Sequence, residues 1–489
     1  MFLLTFANIL GQKPSFFSAT NPPKISDTER QNELAQRRTK VAEKMADGSI
    51  LILLSGTPRI YTNDVDYVFR QENNLYYLTA LKQKNCFLVM VKIDGKAKEY
   101  LFLPKRNPRE ETWTGKMYST EDARRLSGIE NILDLEKFSA LLANLKAKTD
   151  FKADDKTEIP LSKLQSAYLL LPMGQMDDEG MREFSQESRL SASLNESGFK
   201  VQNARPIFDE LRLVKSPYEI KLLQYAIDIT TEAIMRSMLS AKSAAWEYQI
   251  QAEVEYIFRK RNADYWGYPS IVGCGANATT LHYEEAQSQC KPGELLLMDV
   301  GAEYDHYTAD VTRTFPINGK FTKEQADIYS IVYQAQDAVA AAAKPGVPFA
   351  RLSAIARAKI GEGLLKLGLI TENNPEQVSV WFMHGLGHWL GMNVHDVGSY
   401  NVSLRPGMVF TNEPGIYIRA DALDNLPDTP KWNEFKAKVS PAFEKYKNIG
   451  VRIEDDMLVT EDSVIWMTAK LPRSINDIEN FMASAKIPQ

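Results

Sequence analysis

The sequence of 489 residues has little cysteine, no long run of charge of one sign and no apolar stretch long enough to cross a bilayer. Its 58 basic and 63 acidic residues give a net charge of -5, so it lacks the basic surface with which proteins bind nucleic acids or anionic membranes. The three cysteines are odd in number and lack metal-type spacing, which predicts no disulfide framework and favours a reducing compartment. We therefore expect small molecules or peptides as partners, and neither nucleic acid nor membrane.

The start of the chain, MFLLTFANILGQKPSFFSAT, is apolar from Phe2 to Leu10 but has no lysine or arginine before Lys13. A secretory signal carries a basic region ahead of its apolar one, so this start matches a signal only in part. We treat residues 1–26 as a leader or arm, and predict a cytoplasmic protein with export as the alternative.

The length suggests two or three domains, and helix and strand patterns predict where they divide. Residues 27–207 mix helical patterns with buried strands such as GSILILLSG and CFLVMVKI, as a smaller α/β domain would. Beyond them, Ser216 can cap a helix that has Pro217 at its first position and Glu219 completing a capping box. We therefore predict a second domain over residues 208–489.

Within the second domain, helix signals recur from Pro217 to Ser240, from Ala245 to Arg261 and after Thr322, where TKEQ forms another capping box. Short strands are predicted in ELLLMDVG, ADVTRTFPI, GMVFTNEPGIYI and GVRIEDDMLVT. Helices and antiparallel strands in one domain give the α+β class. The segment from Pro427 to Asn448 is polar, and we interpret it as a surface insertion.

Acidic residues stand at strand ends, where an apolar core would otherwise continue. Four apolar residues lead directly to Asp299, and a similar run leads to Glu413. A carboxylate removed from water is costly unless it is paired, hydrogen-bonded or bound to a metal. Asp310 follows Asp299 after the turn-like GAEYDHY, so a hairpin could bring the two together. Arg452 and Glu454 are two residues apart on an alternating strand and should share one face.

Three of the five histidines lie in HGLGHWLGMNVHDVG, from His384 to Gly398. His384 and His388 are four residues apart, as in the helix of a zinc protease, but the glycines of this stretch disfavour a helix. An extended or looped backbone suits close approach to a ligand and leaves the histidines free for different tasks. Each acid or histidine by itself, His306 in the hairpin turn included, is more simply a structural residue. Their joint occurrence in one domain indicates a metal or acid-base site.

Four motifs in this order, MDVGAEYDHYTADVTRTFPINGKFT, HGLGHWLGMNVHDVG, TNEPGIY and GVRIEDD, resemble the aminopeptidase P and prolidase family. The likeness is strong from about Glu210 to Thr460, and looser in TNDVDYVFRQENNLYYLTA of the first domain. It implies a pita-bread catalytic domain, in which two related α+β halves enclose a dinuclear metal site. A creatinase-like N-terminal domain would precede it.

By this resemblance the metal ligands are Asp299, Asp310, His388, Glu413 and Glu454, each of the residue type that the family uses. Asp310 and Glu454 would bridge two divalent ions. Asp299 would hold one of them, and His388 and Glu413 would complete the other. The charges agree with this, since four carboxylates carry about -4 and two divalent cations offset it. Mostly oxygen ligands favour Mn²⁺, with Co²⁺ and Zn²⁺ as alternatives.

The same resemblance assigns tasks to the remaining residues. A metal-bridged hydroxide would attack the scissile carbonyl, with Glu413 as proton shuttle. His282 and His395 would line the substrate cleft and stabilise the tetrahedral intermediate or bind the proline side, with His384 nearby. Arg452 would orient a neighbouring ligand or meet a carboxylate.

The resemblance thus implies an Xaa-Pro aminopeptidase, a metal-dependent and proline-specific hydrolase that releases the residue before a penultimate proline. Prolidase, which accepts only Xaa-Pro dipeptides, is the alternative, since the motifs occur in close form in both. A metal-free pita-bread binding module, or a creatinase-like enzyme without metals, is a remote alternative because such relatives typically lose the ligands. The family commonly forms homo-oligomers, either dimers or tetramers.

Overall fold

The computed structural model describes residues 15–172, 185–241 and 246–487. The chain divides into two units, one comprising Lys24–Arg212 and the other Leu213–Gln489 together with Met1–Pro23. Residues 1–14, which form most of the segment interpreted as a leader, lie outside the described residues. None of the helices in the described part combines the length and the hydropathy that a bilayer span requires.

The unit of residues 24–212 contains short helices around one main sheet. In chain order its elements are α1 (Asp27–Lys44), β1 (Ser49–Leu53), β2 (Ile60–Thr62), β3 (Val65–Asp66), α2 (Asn73–Thr79), β4 (Phe87–Ile93), β5 (Lys96–Leu103), α3 (Pro108–Thr114), α4 (Thr120–Ser127), β6 (Ile132–Asp134), α5 (Phe138–Ala147), β7 (Phe151–Lys152), β8 (Glu158–Ile159), β9 (Ser166–Leu169), α6 (Ser185–Glu196), β10 (Lys200–Asn203) and α7 (Arg205–Leu213).

The main sheet of this unit has six strands in the order β10-β9-β1-β4-β5-β6 and mixes parallel with antiparallel pairs. Strand β1, SILIL, is buried along its whole length, as expected for a central strand with apolar residues on both faces. The strands predicted in GSILILLSG and CFLVMVKI are confirmed as β1 and β4. The core of the unit packs on this sheet through residues such as Ile50, Val89 and Phe102.

The second unit alternates long helices with short strands. In chain order its elements are α8 (Pro217–Ser240), α9 (Glu247–Lys260), β11 (Tyr265–Trp266), β12 (Ile271–Cys274), β13 (Leu295–Val300), β14 (Ala302–Tyr304), β15 (Tyr307–Thr308), β16 (Val311–Pro316), α10 (Lys323–Ala342), α11 (Phe349–Leu367), α12 (Pro375–Val378), β17 (Val409–Asn412), β18 (Gly415–Tyr417), α13 (Pro430–Tyr446), β19 (Gly450–Arg452), β20 (Asp455–Val459), β21 (Val464–Trp466) and α14 (Ile475–Ser484).

The helix starts of this unit follow their predicted caps. The side chain of Ser216 accepts the N–H of Glu219, whose carboxylate accepts the N–H of Ser216 in return, so the predicted capping box of α8 is confirmed. Thr322 forms the corresponding box at the start of α10, which is also confirmed. Such reciprocal caps satisfy N–H groups that have no partner within the helix.

Antiparallel sheets place the ends of the acidic strands close together. The sheet β12-β13-β16 is antiparallel and pairs Asp299 with Thr312, and the sheet β17-β20-β21 pairs Asn412 with Asp455. Strands β18 and β19 form a further pair, in which Gly415 lies opposite Arg452. The predicted α+β class is confirmed.

Two expectations about this unit, one on its polar segment and one on its cysteines, are wrong. The segment from Pro427 to Asn448 is no simple surface insertion, because its helix α13 buries four apolar side chains in the main core, those of Phe435, Val439, Phe443 and Tyr446. The expectation of no disulfide also fails, since Cys274 and Cys290 are joined while Cys86 is a buried free thiol. Cys274 ends β12 and Cys290 precedes β13, and the antiparallel pairing of these strands brings the two residues together.

Candidate metal centre

One cavity of the second unit, about 360 Å³ in volume, receives residues from separate parts of the chain. All of the residues that the sequence predicted for the site line it: His282, Asp299, Asp310, His384, His388, His395, Glu413, Arg452 and Glu454. His306 lies outside it, in the turn between β14 and β15, where it is buried and its N–H donates to Asp264 at 3.4 Å. The structure therefore brings the predicted set together, and the metal-binding and catalytic roles of its members stay predictions.

Two of the carboxylates are joined by a tyrosine. The hydroxyl oxygen of Tyr268 lies 2.6 Å from Oδ1 of Asp299 and 2.5 Å from Oδ1 of Asp310. Asp299 is supplied by β13, and Asp310 comes just before β16, so the predicted hairpin-like approach of the two is confirmed by the pairing of these strands. The strands β14 and β15 lie in the connection between them.

Asp310, His388 and Glu454 form a compact group, because one ligating atom of each lies within 4.8 Å of those of the other two. Nε2 of His388 is 3.2 Å from Oδ2 of Asp310 and 3.4 Å from Oε1 of Glu413. Its other nitrogen, Nδ1, lies 3.1 Å from the carbonyl oxygen of Trp389, which can only accept a hydrogen bond. Nδ1 therefore carries a proton, and Nε2 faces the carboxylates as a metal ligand would.

The glycine-rich stretch holds His388 against strand β17. The N–H of Thr411 donates to the carbonyl of His388 at 2.9 Å, and the N–H of Leu390 donates to that of Val409 at 3.1 Å. A side chain on Gly387 would place its Cβ 2.0 Å from the carbonyl oxygen of Thr411, so only glycine permits this approach. The stretch is not helical, as its glycines predicted.

Arg452 and Glu454 both reach the cavity, but they do not share a strand as predicted. β19 ends at Arg452 and β20 begins at Asp455, which leaves Glu454 in the break between them. There its N–H donates to the carbonyl of Thr312 at 3.1 Å, and its Oε2 accepts the hydroxyl of Thr312 at 2.6 Å. The alternating pattern was correct for the direction of both side chains, and wrong in assuming a continuous strand.

Arg452 organises one side of the cavity. Its Nη2 lies 2.5 Å from Oδ2 of Asp299, its Nη1 donates to the hydroxyl oxygen of Tyr417 at 2.9 Å, and its Nε donates to Thr312 at 3.1 Å. Because Thr312 donates in turn to Glu454, the guanidinium acts on that carboxylate through one hydroxyl. Arg452 is buried, so these contacts satisfy a cation that is shielded from water.

Burial of four carboxyl groups in one cavity changes their pKa values. Burial, with the charges of Asp310 and Glu413, raises the pKa of Glu454 well above its ordinary value. Burial and the charge of Asp299 raise the pKa of Asp310, and burial, opposed by His388, raises the pKa of Glu413 to about 7. Asp299 differs: burial acts upward on it too, but Arg452 and the Tyr268 hydroxyl outweigh burial and lower its pKa. A cluster in which carboxylates raise one another's pKa fits divalent cations, which would offset the repulsion.

The histidines differ in environment. Burial lowers the pKa of His384 to about 3, and its Nε2 lies 2.8 Å from the hydroxyl of Tyr417. Burial, with the charges of His388 and His282, lowers the pKa of His395 to about 4. Burial opposes protonation of His388 as well, but its carboxylate neighbours raise its pKa to about 9. The structure thus separates one histidine among the acids from two that stay neutral at neutral pH.

Three residues of the site were not found from the sequence, namely Tyr268, Thr312 and Tyr417. Each contributes a hydroxyl group that joins two charged or titratable groups, as the distances above show. Tyrosine and threonine are common in strands for packing reasons alone, so nothing in the local pattern distinguishes Thr312 and Tyr417. Tyr268 lies in the connection between β11 and β12, where no local pattern marks it either.

Comparison with known proteins places these observations in a family context. The family described as "Metallopeptidase family M24" matches residues 221–461, and "Aminopeptidase P, N-terminal domain" matches residues 34–152. The chain is 35% identical to the Xaa-Pro aminopeptidase of Haemophilus influenzae, over 92% of this chain and 97% of that protein. It is 34% identical to human Xaa-Pro aminopeptidase 3, over 97% of this chain and 91% of that protein.

A solved structure gives the same result for the fold. The structure of Escherichia coli aminopeptidase P with the inhibitor Pro-Leu superimposes with a TM-score of 0.77 at 30% identity, covering 94% of this chain and 99% of that one. At this identity and coverage, the likeness extends over both of the matched regions.

Proposed function

Since the chain belongs to the metallopeptidase family M24, we propose that it is an Xaa-Pro aminopeptidase, which releases the N-terminal residue from peptides with proline in the second position. The resemblance noted in the sequence is confirmed, and so is the two-domain architecture of an aminopeptidase P N-terminal domain followed by a pita-bread catalytic domain. The enzyme is a metal-dependent peptidase by family. The single observation that carries the specific activity is that carboxylates and histidines from separate segments converge on one cavity in a chain so similar to Xaa-Pro aminopeptidases.

The cavity contains a candidate site for a divalent metal, formed by Asp310, His388 and Glu454, as expected for a metallopeptidase. We propose two ions, with Asp299 and Glu413 completing the ligand set, and Mn²⁺ as the metal because the donors are mostly oxygens, while Co²⁺ and Zn²⁺ remain alternatives. The donor set supports this, since carboxylates that oppose one another's ionisation are relieved by nearby cations. When bound, the ions supply Lewis acidity toward a water molecule and the scissile carbonyl oxygen.

The protein's own side chains can move protons and stabilise charge around the scissile bond. Glu413 is proposed to shuttle the proton, since its side chain borders the cavity and is held by a hydrogen bond from Thr411 at 3.0 Å. His395 is exposed at the cavity and neutral at neutral pH, so one ring nitrogen can donate to an oxygen on which negative charge develops. His282, also exposed there, is proposed to share the substrate side.

Arg452 and His384 are proposed to be positioning residues, linked to each other through the hydroxyl group of Tyr417. The guanidinium donates to the hydroxyl oxygen of Tyr417, and this hydroxyl can donate onward to Nε2 of His384, whose Nδ1 lies 2.8 Å from the carbonyl oxygen of Gly385. A chain of donors and acceptors in this order fixes the tautomer of the imidazole. The same hydrogen bonds fix the orientation of the His384 ring at the cavity wall.

The observation that favours an aminopeptidase over a prolidase is the engagement of Arg452. A dipeptidase needs a cationic donor for the carboxylate that follows proline directly. Among the described residues that line the cavity, Arg452 is the one lysine or arginine, and it lies against Asp299. Arg405, a second candidate for that role, does not line the cavity. We therefore propose a substrate side open to longer peptides.

The proposed activity is tested by mass spectrometry of the products from a peptide with proline in position 2. Loss of one N-terminal residue, its absence when alanine replaces that proline or when the N-terminus is acetylated, and inhibition by a chelator that Mn²⁺ reverses, are the expected results. Cleavage that is indifferent to proline or to the free amine would overturn the assignment.

Three broader properties are proposed. We infer a homo-oligomer, a dimer or tetramer as the family commonly forms, which light scattering would test. We propose that the domains divide at residues 27–207 and 208–489, which limited proteolysis would test. The cytoplasm is the proposed compartment, whereas the Cys274–Cys290 disulfide favours export, and cell fractionation decides between them.

A further inference from the structure

The loop of residues 275–289, here called the His282 loop, lies between β12 and β13 in the chain and places His282 at the cavity. The side chain of His282 is exposed, whereas its neighbours Leu281 and Tyr283 pack against a buried cluster that includes Tyr417. An exposed side chain on a loop is only as well placed as the backbone beneath it. The position of His282 therefore depends on what holds the loop.

One buried carboxylate holds several points of the loop at once. Oε1 of Glu247, in the first turn of α9, accepts the N–H of Cys274 at 2.7 Å and the side-chain amide of Asn277 at 3.0 Å. Oε2 accepts the N–H of Ser288 at 2.8 Å and the hydroxyl of Tyr283 at 2.9 Å. Glu247 has no exposed surface, so the acceptor side of these four bonds is shielded from water.

The disulfide closes the same loop covalently. Cys274 and Cys290 flank it, with their Cα atoms 5.5 Å apart, inside the usual range for a disulfide. A cross-link between the two ends removes most of the conformations that the intervening segment could adopt. Glu247 and the disulfide thus hold the same ends of the loop by independent means.

We propose that Glu247 and the Cys274–Cys290 disulfide are positioning elements for catalysis, which hold the His282 loop so that His282 faces the substrate. Neither Glu247 nor either cysteine is among the described residues that line the cavity, so their effect on the reaction passes through the loop. The loop contains none of the proposed metal ligands, so a change confined to the loop should leave the metal content unchanged. The activity measurement for this inference rests on the proposed function. Two other measurements, thiol titration and amide hydrogen exchange, need no substrate.

The activity test uses two variants, Glu247→Gln and the double variant Cys274→Ser/Cys290→Ser. Glu247→Gln replaces one acceptor oxygen of the carboxylate by an NH2 group, which cannot accept the hydrogen bonds donated there. Glu255→Gln is the matched control, since it makes the same change on the same helix away from the loop. Both test variants are expected to lose roughly 10-fold to 100-fold in kcat/KM, the cost of a misplaced catalytic group, with metal content unchanged. Loss of metal, or activity equal to that of the control, would overturn the proposal.

Combination with His282→Ala separates positioning from general damage. If the two elements act through His282, neither change lowers the activity further once the imidazole has been removed. An equal fractional loss with and without His282 would refute the proposal. If Glu247→Gln does not fold, the same combination with His282→Ala is measured in the cysteine variant, in which the hydrogen bonds of Glu247 still hold the His282 loop.

Two measurements are independent of peptide cleavage. Thiol titration of the denatured protein should find one thiol, that of Cys86, and three thiols would refute the role of the disulfide. Amide hydrogen exchange in residues 275–289 should be faster in Glu247→Gln than in Glu255→Gln. Unchanged exchange would refute the role of Glu247, even if the wild-type protein cleaved no Xaa-Pro peptide and the proposed function had failed.

Discussion

Replacement of Lys215 by methionine should destabilise the unit of residues 213–489, because it removes the ammonium that faces the buried carboxylate of Asp396. Nζ of Lys215 lies 3.1 Å from Oδ2 of Asp396, and each side chain is only 1% exposed. Loss of one member of such a buried pair costs about 3–5 kcal/mol, since the remaining charge keeps its desolvation penalty. Asp396 directly follows His395, so the pair also anchors the backbone beside the cavity.

The expected size is large enough to measure by thermal unfolding. One kcal/mol shifts the Tm of a unit of this size by about 2–4 °C, so Lys215→Met should lower the Tm by roughly 6–20 °C at constant Mn²⁺ concentration. Lys359→Met is the matched control, because its partner Glu362 is 2.7 Å away but both side chains are about half exposed. An exposed pair contributes at most about 1 kcal/mol.

The double variant Lys215→Met/Asp396→Leu decides whether the charge itself is the cause. Replacing both members by apolar residues removes the buried charge, so most of the lost stability should return. A double variant as unstable as the single one would refute the electrostatic reasoning, and so would an unchanged Tm in Lys215→Met.

Three further predictions concern the metal centre. Asp310→Ala should lose both ions by elemental analysis, as expected for a bridging ligand, whereas Asp299→Ala should retain part of one; equal content would contradict the assignment. His395→Ala should keep its metal and lose about 10²-fold in kcat, and His388→Ala should lose metal, so equal metal loss in both would refute that division of roles. Metal affinity should increase with pH up to about pH 9. Burial lowers the pKa of His388, but Asp310 and Glu413 outweigh burial and raise it to about 9, and the imidazole must lose its proton before it can bind a metal. Calorimetry in buffers of different ionisation enthalpy would detect that proton, and none released at pH 7 would be evidence against it.

Much of the site could be predicted because its chemistry requires residues that are unusual at their positions. An acid such as Asp299, at the end of an apolar strand, needs a compensating partner, and a histidine among glycines suits a close approach to a ligand. The caps of α8 and α10 could be predicted for a similar reason, since Ser216 and Thr322 act within a few residues of sequence.

The rest depends on contacts between segments that are far apart in the sequence. Tyr268 meets Asp299 and Asp310 only through the register of antiparallel strands, which local patterns do not encode. The count of three cysteines predicts no disulfide framework, but an odd number does not prevent two from pairing while Cys86 stays free. The pattern of α13 does not predict a core helix, because its four buried apolar residues stand among many charged ones.

The most direct test of the central claim is kcat/KM of the Mn²⁺-loaded protein for an Xaa-Pro-Xaa tripeptide and for the corresponding Xaa-Pro dipeptide. An Xaa-Pro aminopeptidase leaves the side beyond proline open, and in this cavity the guanidinium of Arg452 lies against Asp299. The tripeptide should therefore be cleaved at least as efficiently as the dipeptide. Cleavage confined to the dipeptide would contradict this account and identify the protein as a prolidase.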